Sequence, residues 1–528
     1  MVDIDSPLVD SLSLKRINRA VTDGGRSSMT KARGASAFDI EEATISSIHR
    51  AFRAGKITAR ELVDGYLKRI KLIDQRGPNL NAIVNVNKHA LAQAGALDQH
   101  LAKTGKLVGP LHGIPMLLKD NIETCEMPTT FGSAAFAAYQ PTQDATVVRK
   151  LRAAGAIILG KTTLPDFATS WWAYSSMSGE TRNPYDLKRD PGGSSAGTGA
   201  AIAANLGAIG LGTDCGGSIR VPASCNNLVG IRSTPGMISR TGSSTLVFFQ
   251  DTVGPMARTV RDAVTVFELI TGYDPADSLS VHYEVAGAPR RFSDALDRNG
   301  LKRARLGLVT NALGSDSDPF AAPVNRVIRE AVTAIEAAGG TVAEVQIPNL
   351  AHHVSATSMY VNCSKRDINA FLAARPAAPL RTLNQIFETR RYHPMLDLID
   401  ACVLGPELPE YDPQYFRRLA AREEFQRAVL NLMAEHRLDG LFFPDVQVVP
   451  PTREQLNTRV WTTLTFPTNT LIASQTWLPA ISVPGGMTAG GLPVGVEFVA
   501  RPYAEATLFR LAYAFEQISA TRRAPVIG

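Results

Sequence analysis

Short apolar runs recur along the chain with helix-patterned segments between them, and this alternation constrains the fold more than any other feature. The runs are Ala82 to Val86, Ile114 to Leu118, Ala156 to Leu159, Ala208 to Leu211, Arg305 to Val309, Thr341 to Ile347, Leu441 to Pro444, Ala480 to Val483 and Val494 to Val499. Val147 to Ala154, Ala196 to Asn205 and Val324 to Ala338 instead carry helical spacing. Near the start, Thr58 and Glu61 form a T-x-x-E capping box ahead of Leu62, Val63, Tyr66, Leu67, Ile70 and Ile73, which predicts a further helix. Such alternation predicts an α/β layered fold around a largely buried sheet.

With 528 residues, 45% apolar and 20% charged, the chain has the composition of a folded globular protein. Residues 1–36 mix Ser, Gly, Asp and Arg without a period and read as a mobile or surface-draped arm. Residues 37–528 form the folded body, and the stretch near 350–436 is mostly helical with proline breaks, suited to a cap over a site. The 55 basic and 49 acidic residues give a net charge of +6 with no dense Lys/Arg block, which argues against a nucleic-acid partner. Pro191 to Thr213 is uncharged but too broken by Gly, Ser, Thr and Asn to span a membrane, and Met1 to Ala35 lacks an apolar signal core. Cys125, Cys215, Cys225, Cys363 and Cys402 show no CxxC spacing, so neither a disulfide framework nor a metal site is indicated. The expected location is the cytoplasm.

Chemistry concentrates between Asp190 and Ser224. Two clusters, Gly192-Gly193-Ser194-Ser195 and Gly216-Gly217-Ser218, flank one predicted helix and one predicted strand, a path that returns both loops to one sheet edge. Glycines before a serine allow positive φ and close approach, and the N–H groups of Cys215, Gly216, Gly217 and Ser218 are candidates to hold an oxyanion. Either cluster alone would read as an ordinary Gly/Ser loop.

A serine needs a base, and none of the nine histidines falls within these clusters. His112 suits a structural hydrogen bond. Lys119 ends the apolar run Ile114 to Leu118, and a lysine carried inward at a strand end loses solvation, which lowers its pKa and frees the amine to accept a proton. A lone strand-end lysine is more often solvated or salt-bridged, and spacing alone does not connect Lys119 to the serines.

These residues resemble the amidase signature family. The match rests on Gly-Gly-Ser-Ser-Ala-Gly at 192–197, Gly-Thr-Asp-Cys-Gly-Gly-Ser-Ile-Arg at 212–220, Gly-Pro-Leu-His-Gly-Ile-Pro followed by Lys119-Asp120, Leu159 to Thr162, Gly254 to Arg258, and Pro479 to Gly486. It runs from about residue 38 to 520. The resemblance implies a large mixed β-sheet core covered on both faces by helices. It also implies a Ser-cisSer-Lys triad: Lys119 takes a proton through Ser194, whose peptide bond is cis in the family, and Ser218 attacks the amide carbonyl to give an acyl-enzyme. The amides of 215 to 218 would then hold the oxyanion, with Ser195, Asp214 and Arg220 in support. No cofactor and no metal are implied, the partner is a small-molecule amide substrate, and a homodimer is left open. Ala196 and Cys215 depart from the usual signature without removing a catalytic group. Ala473 to Trp477 stands where many relatives have a glycine-containing turn, which predicts that Trp477 reshapes the pocket.

Two rival patterns fail on context. Gly155 to Thr162 matches a P-loop letter for letter, but its middle residues are themselves the apolar run, and Pro165 interrupts the stretch where a P-loop would open its helix. Gly193 to Gly197 matches a nucleophile elbow, yet a charged, Pro/Gly-broken loop precedes it instead of a strand. Trp171, Trp172, Tyr174 and Met177, with Trp477, are the candidate pocket residues. The expected activity is hydrolysis of linear amides, closest in pattern to peptide amidases and broad-range aryl or alkyl amidases. The alternative is an amidase-like component of an amidotransferase complex, inactive on simple amides alone.

Overall fold

A computed structural model describes residues 38–527, so the arm expected over 1–36 lies outside the described residues. The apolar runs become strands of one 11-stranded sheet. In chain order the strands are β1 (Ile83–Val86), β2 (Pro115–Lys119), β3 (Ile157–Thr162), the small hairpin β4 (Tyr174–Ser175) and β5 (Gly179–Glu180), β6 (Ile209–Asp214), β7 (Val229–Arg232) and β8 (Thr252–Ala257). They continue as β9 (Arg305–Val309), β10 (Thr341–Val345), β11 (Gly440–Pro444), β12 (Ala480–Met487) and β13 (Pro493–Val499). The large sheet runs β1-β3-β2-β6-β8-β7-β12-β13-β11-β9-β10. Parallel pairing joins β3, β2 and β6 at one end and β11, β9 and β10 at the other, with antiparallel pairs elsewhere.

β7 and β8 lie outside the apolar runs. Gly254-Pro255 in β8 and Gly230 in β7 read as turn residues, but burial between neighbours overrides local propensity: Leu211 pairs with Pro255, and Gly230 pairs with Met256. The helix expected over 196–205 ends at Ala203, and Asn205 turns the chain at φ 57°. The predicted capping box forms as read, with Thr58 and Glu61 capping Ala59–Arg69.

Helices Ala196–Ala203, Val260–Ile270 and Glu505–Ser519 close over the sheet, and Met116, Leu117, Ile158, Ile202, Leu211 and Phe515 share its core. Full burial of such a side chain is worth roughly 1.5–3 kcal/mol, so the core around β2 is both stable and dry. Lys119 ends in that dry region. Helices Leu350–Ala356, Tyr360–Ala373, Leu383–Glu388, Asp397–Leu404 and Tyr415–Glu435 fill the 350–436 stretch. Residues of the last four build an aromatic second core with Phe131, Trp171 and Phe466, while Leu350 and Val354 pack in a separate cluster with Phe425 and Val429. No helix among the described residues is long and apolar enough to cross a membrane.

Candidate active site

β2 lies between β3 and β6, and its last residue, Lys119, is fully buried. Its Nζ donates to Ser194 Oγ at 2.7 Å, to Thr213 Oγ1 at 2.9 Å and to the Thr213 carbonyl at 3.4 Å. Burial pulls the Lys119 ammonium down from 10.5 to about 7, against the opposing pull of Asp251, Asp214 and Cys215. The strand-end lysine of the sequence thus meets the first serine cluster directly. The Gly193–Ser194 peptide bond is cis.

The two glycine-serine loops close on each other through the Ser195 amide, which donates to the Ser218 carbonyl at 3.0 Å. Ser195 Oγ reaches the Thr213 carbonyl at 3.3 Å. Thr213 is the residue that sequence reasoning passes over: its hydroxyl accepts from both Lys119 and Asn121 Nδ2, the latter at 3.0 Å. The Lys119-Asp120-Asn121 triplet holds the signal, because a polar run at the end of a buried strand must find partners.

Among the described residues, the backbone N–H groups of Cys215, Gly216, Gly217 and Ser218 donate to no protein acceptor. Gly217 sits at φ 138°, and a Cβ there would collide with Thr470. At Gly216 a Cβ would strike the Tyr360 hydroxyl, so glycine is required at both positions. Thr470 Oγ1 donates to the Gly216 carbonyl at 2.7 Å and fixes the loop from the far side.

Beneath the loop, Asp214 is fully buried between two equally buried arginines. Arg220 donates to Asp214 through Nε and Nη2, each at 3.1 Å, and Arg232 Nη1 donates to Oδ1 at 3.0 Å. Burial alone would raise the Asp214 pKa, but Arg220 and Arg232 outweigh it and hold the carboxyl at about 2. Arg220 also pairs with Glu497 and donates to Ser474 Oγ at 2.7 Å.

Cys215, Gly216 and Ser218 face a cavity of about 920 Å³. The opposite wall comes from the 350–436 helices, including Tyr360, Val361 and Leu398. Of the five candidate pocket residues, Trp171 lines this cavity, and its Nε1 donates to the Thr463 carbonyl at 2.8 Å. The other four do not line it. Trp172 packs edge-on against Phe466 with ring centroids 4.5 Å apart, and Tyr174 stacks on His393 and donates to Asn457 at 2.8 Å. Met177 follows the β4 strand, its amide donating to the Gly132 carbonyl at 3.2 Å. Trp477 stands behind the site, beside Phe249 and Arg422. Lys161 of the P-loop-like pattern is a buried strand residue paired with Asp120 at 2.8 Å, and His112 Nδ1 accepts from the Val108 amide at 3.1 Å.

Residues 61–509 match the family model described as Amidase. The chain is 34% identical to the native peptide amidase from Stenotrophomonas maltophilia, over 92% of this chain and 99% of that one, with a TM-score of 0.81. It is 33% identical to the A subunit of glutamyl-tRNA(Gln) amidotransferase from Thermosynechococcus vestitus, over 90% of this chain and 97% of that one. It is also 32% identical to a probable amidase from Arabidopsis thaliana, over 94% of each.

Proposed function

The chain belongs to the amidase family, and from that premise we propose that it hydrolyses linear carboxylic amides through an acyl-enzyme on Ser218. The observation that carries the reading is the 2.7 Å contact between Ser194 and a lysine whose proton is held only to about pH 7. Once neutral, Lys119 offers a lone pair to Ser194, and Ser194 in turn relays the proton of Ser218. Ser218 Oγ then bonds to the amide carbon while the carbonyl oxygen, now negative, takes the free N–H groups of 215 to 218. As the tetrahedral intermediate collapses, the C–N bond breaks and the proton returns through Ser194 to the departing amine. Water repeats the sequence on the ester, releasing acid and restoring Ser218.

The cavity suits a bulky acyl group, since Trp171, Leu398 and Phe466 give it apolar walls. Trp171→Ala is expected to shift relative kcat/KM toward bulkier acyl groups by about tenfold, within the range that pocket size alone commands. Unchanged preference across bulky and small acyl amides would remove Trp171 from the recognition surface.

The second reading, ammonia supply inside an amidotransferase complex, draws on the likeness to the amidotransferase chain. Glutamine, a common ammonia donor, is a zwitterion, and a buried ammonium needs a carboxylate. The described residues lining the cavity include Arg418 but neither Asp nor Glu, which favours neutral amides. The free thiols, four of the five buried, support a reducing compartment such as the cytoplasm.

Product release measured by chromatography and mass spectrometry across primary amides, anilides, peptide amides and glutamine decides between the readings. Turnover of neutral amides by the isolated protein supports the hydrolase. Turnover of glutamine alone, or only with a partner present, would replace it with the second reading.

A further inference from the structure

Arg422 is buried on the helix Tyr415–Glu435 with 1% of its surface exposed, and no carboxylate pairs with it among the described residues. A guanidinium removed from water normally finds a carboxylate. Here Nη1 donates instead to the side-chain carbonyl of Gln250 at 2.6 Å, while Nε and Nη2 have no partner among the described residues. The rings of Phe249 and Trp477 flank the cation, with centroids 5.1 Å and 5.0 Å from its central carbon. Trp477 holds this position at φ 57°, a left-handed conformation that bulky residues seldom adopt. The tryptophan expected to shape the pocket therefore builds a slot for Arg422.

The far end of the contact lies at the reaction centre. Gln250 is 1% exposed, and its Nε2 donates to the Cys215 carbonyl at 2.6 Å. Cys215 opens the loop whose free amides face the cavity. An amide side chain can flip by exchanging its oxygen and nitrogen, and a donor fixed on the oxygen prevents this. With Arg422 bound to the oxygen, the nitrogen must face Cys215. The chain of contacts is then Phe249/Trp477 slot, Arg422, Gln250, Cys215 carbonyl.

We propose that Arg422 is a positioning residue that acts through Gln250 to hold the Cys215–Ser218 loop in its anion-binding shape. It is not among the described residues that line the cavity. Its effect belongs in kcat, because a loop set for the developing oxyanion stabilises the transition state more than the bound amide. The inference rests on the reading of Ser218 as nucleophile.

The test uses the full chain as wild type, Arg422→Lys, Gln250→Met and the double variant. Each is labelled with a fluorophosphonate, and intact mass follows the rate. In that reaction Ser218 Oγ forms a P–O bond, fluoride leaves with the P–F electron pair, and the serine proton passes to Ser194 and Lys119. The phosphonyl oxygen requires the same amides as an amide oxyanion, so the rate reports the loop without a known substrate. Lysine keeps the charge but lacks the planar fork. Each single variant is expected to label about 10- to 100-fold more slowly, short of the loss from removing an oxyanion donor itself. On an amide substrate kcat should fall in parallel while KM stays within about threefold.

Because Arg422 acts through Gln250, Arg422→Lys should add nothing in the Gln250→Met background. Labelling of folded single variants within twofold of wild type, or losses that multiply in the double variant, would overturn the inference. Should Arg422→Lys unfold, labelling of folded Gln250→Met within twofold of wild type would still overturn the inference, since Arg422 reaches the loop only through Gln250. Wild type that resists labelling at Ser218 would sink the nucleophile reading and this inference with it, a result distinct from equal labelling of all four proteins.

Discussion

Ser218→Ala is expected to lower kcat by about 10⁵-fold and Lys119→Met by about 10⁴-fold or more, with both proteins folded as wild type. In the proposed mechanism alanine removes the atom that forms the acyl bond, whereas methionine fills the volume of Lys119 and leaves Ser194 without a base. The residual rate then comes from the free amides of the 215–218 loop. The pH profile carries the stronger test. Wild-type kcat/KM should rise with pH and level off above about 7, because only the neutral amine accepts a proton.

The same burial sets a dependence of stability on pH. In the unfolded chain a lysine holds its proton to about 10.4, whereas the folded chain releases it at about 7. Between these values the unfolded state binds the extra proton, so stability rises with pH. Below 7 the folded state carries the full cost of a buried charge, and above about 10.4 none. Lys119→Met lacks this titration. From pH 6 to pH 9, wild type should therefore gain about 2–3 kcal/mol relative to the variant, read from urea unfolding at each pH. Parallel curves at both values would mean that Lys119 keeps its proton in the fold, and the base would have to be sought elsewhere.

Local physics decides which parts of this site are legible in the sequence. Lys119 ends an apolar run, and each serine cluster brings its own glycines, so strand end and loop geometry are written within a few residues. β8 is hidden because Gly254-Pro255 has the chemistry of a turn, and only burial between β6 and β7 makes it a strand. The Arg422–Gln250 contact spans 172 positions and leaves no local mark, since an arginine on an amphipathic helix reads as a solvated side chain. Trp477 stands out in the sequence because the resemblance leads one to expect a glycine-containing turn over Ala473 to Trp477, and a positive φ at Trp477 is a conformation that glycine adopts most easily. Its direction is not readable, because a turn residue faces whichever neighbour the fold supplies. Trp171 and Trp172 are adjacent, yet one lines the cavity and the other packs behind Phe466.

Asp214→Ala should cost about 3–5 kcal/mol of stability, the range for leaving a buried charge without its partner. Arg220 would keep Glu497, but Arg232 would retain only carbonyl acceptors, those of residue 214 and Gln250, each at 2.7 Å. A loss of that size lowers Tm by roughly 3–5 °C in a chain of this length. The native carboxyl titrates at about 2, below the usual value of about 3.9 for an unfolded aspartate. Its contribution is thus complete above about pH 4 and disappears as the pH falls through 2, so the gap between wild type and variant should narrow only in strong acid. Activity should fall too, because Asp214 stands between Thr213, which touches Lys119, and Cys215, which opens the loop proposed to hold the oxyanion. Its Oδ2 also accepts from the Ile219 amide at 3.2 Å and clamps the loop beyond Ser218. Asp214→Asn restores the shape without the charge and separates the two effects. Recovery of kcat but not of Tm would assign the loop to hydrogen bonding and the stability to the ion cluster. A variant as stable and active as wild type would mean that Arg232 needs no anion, and the cluster would then have no part in holding the site.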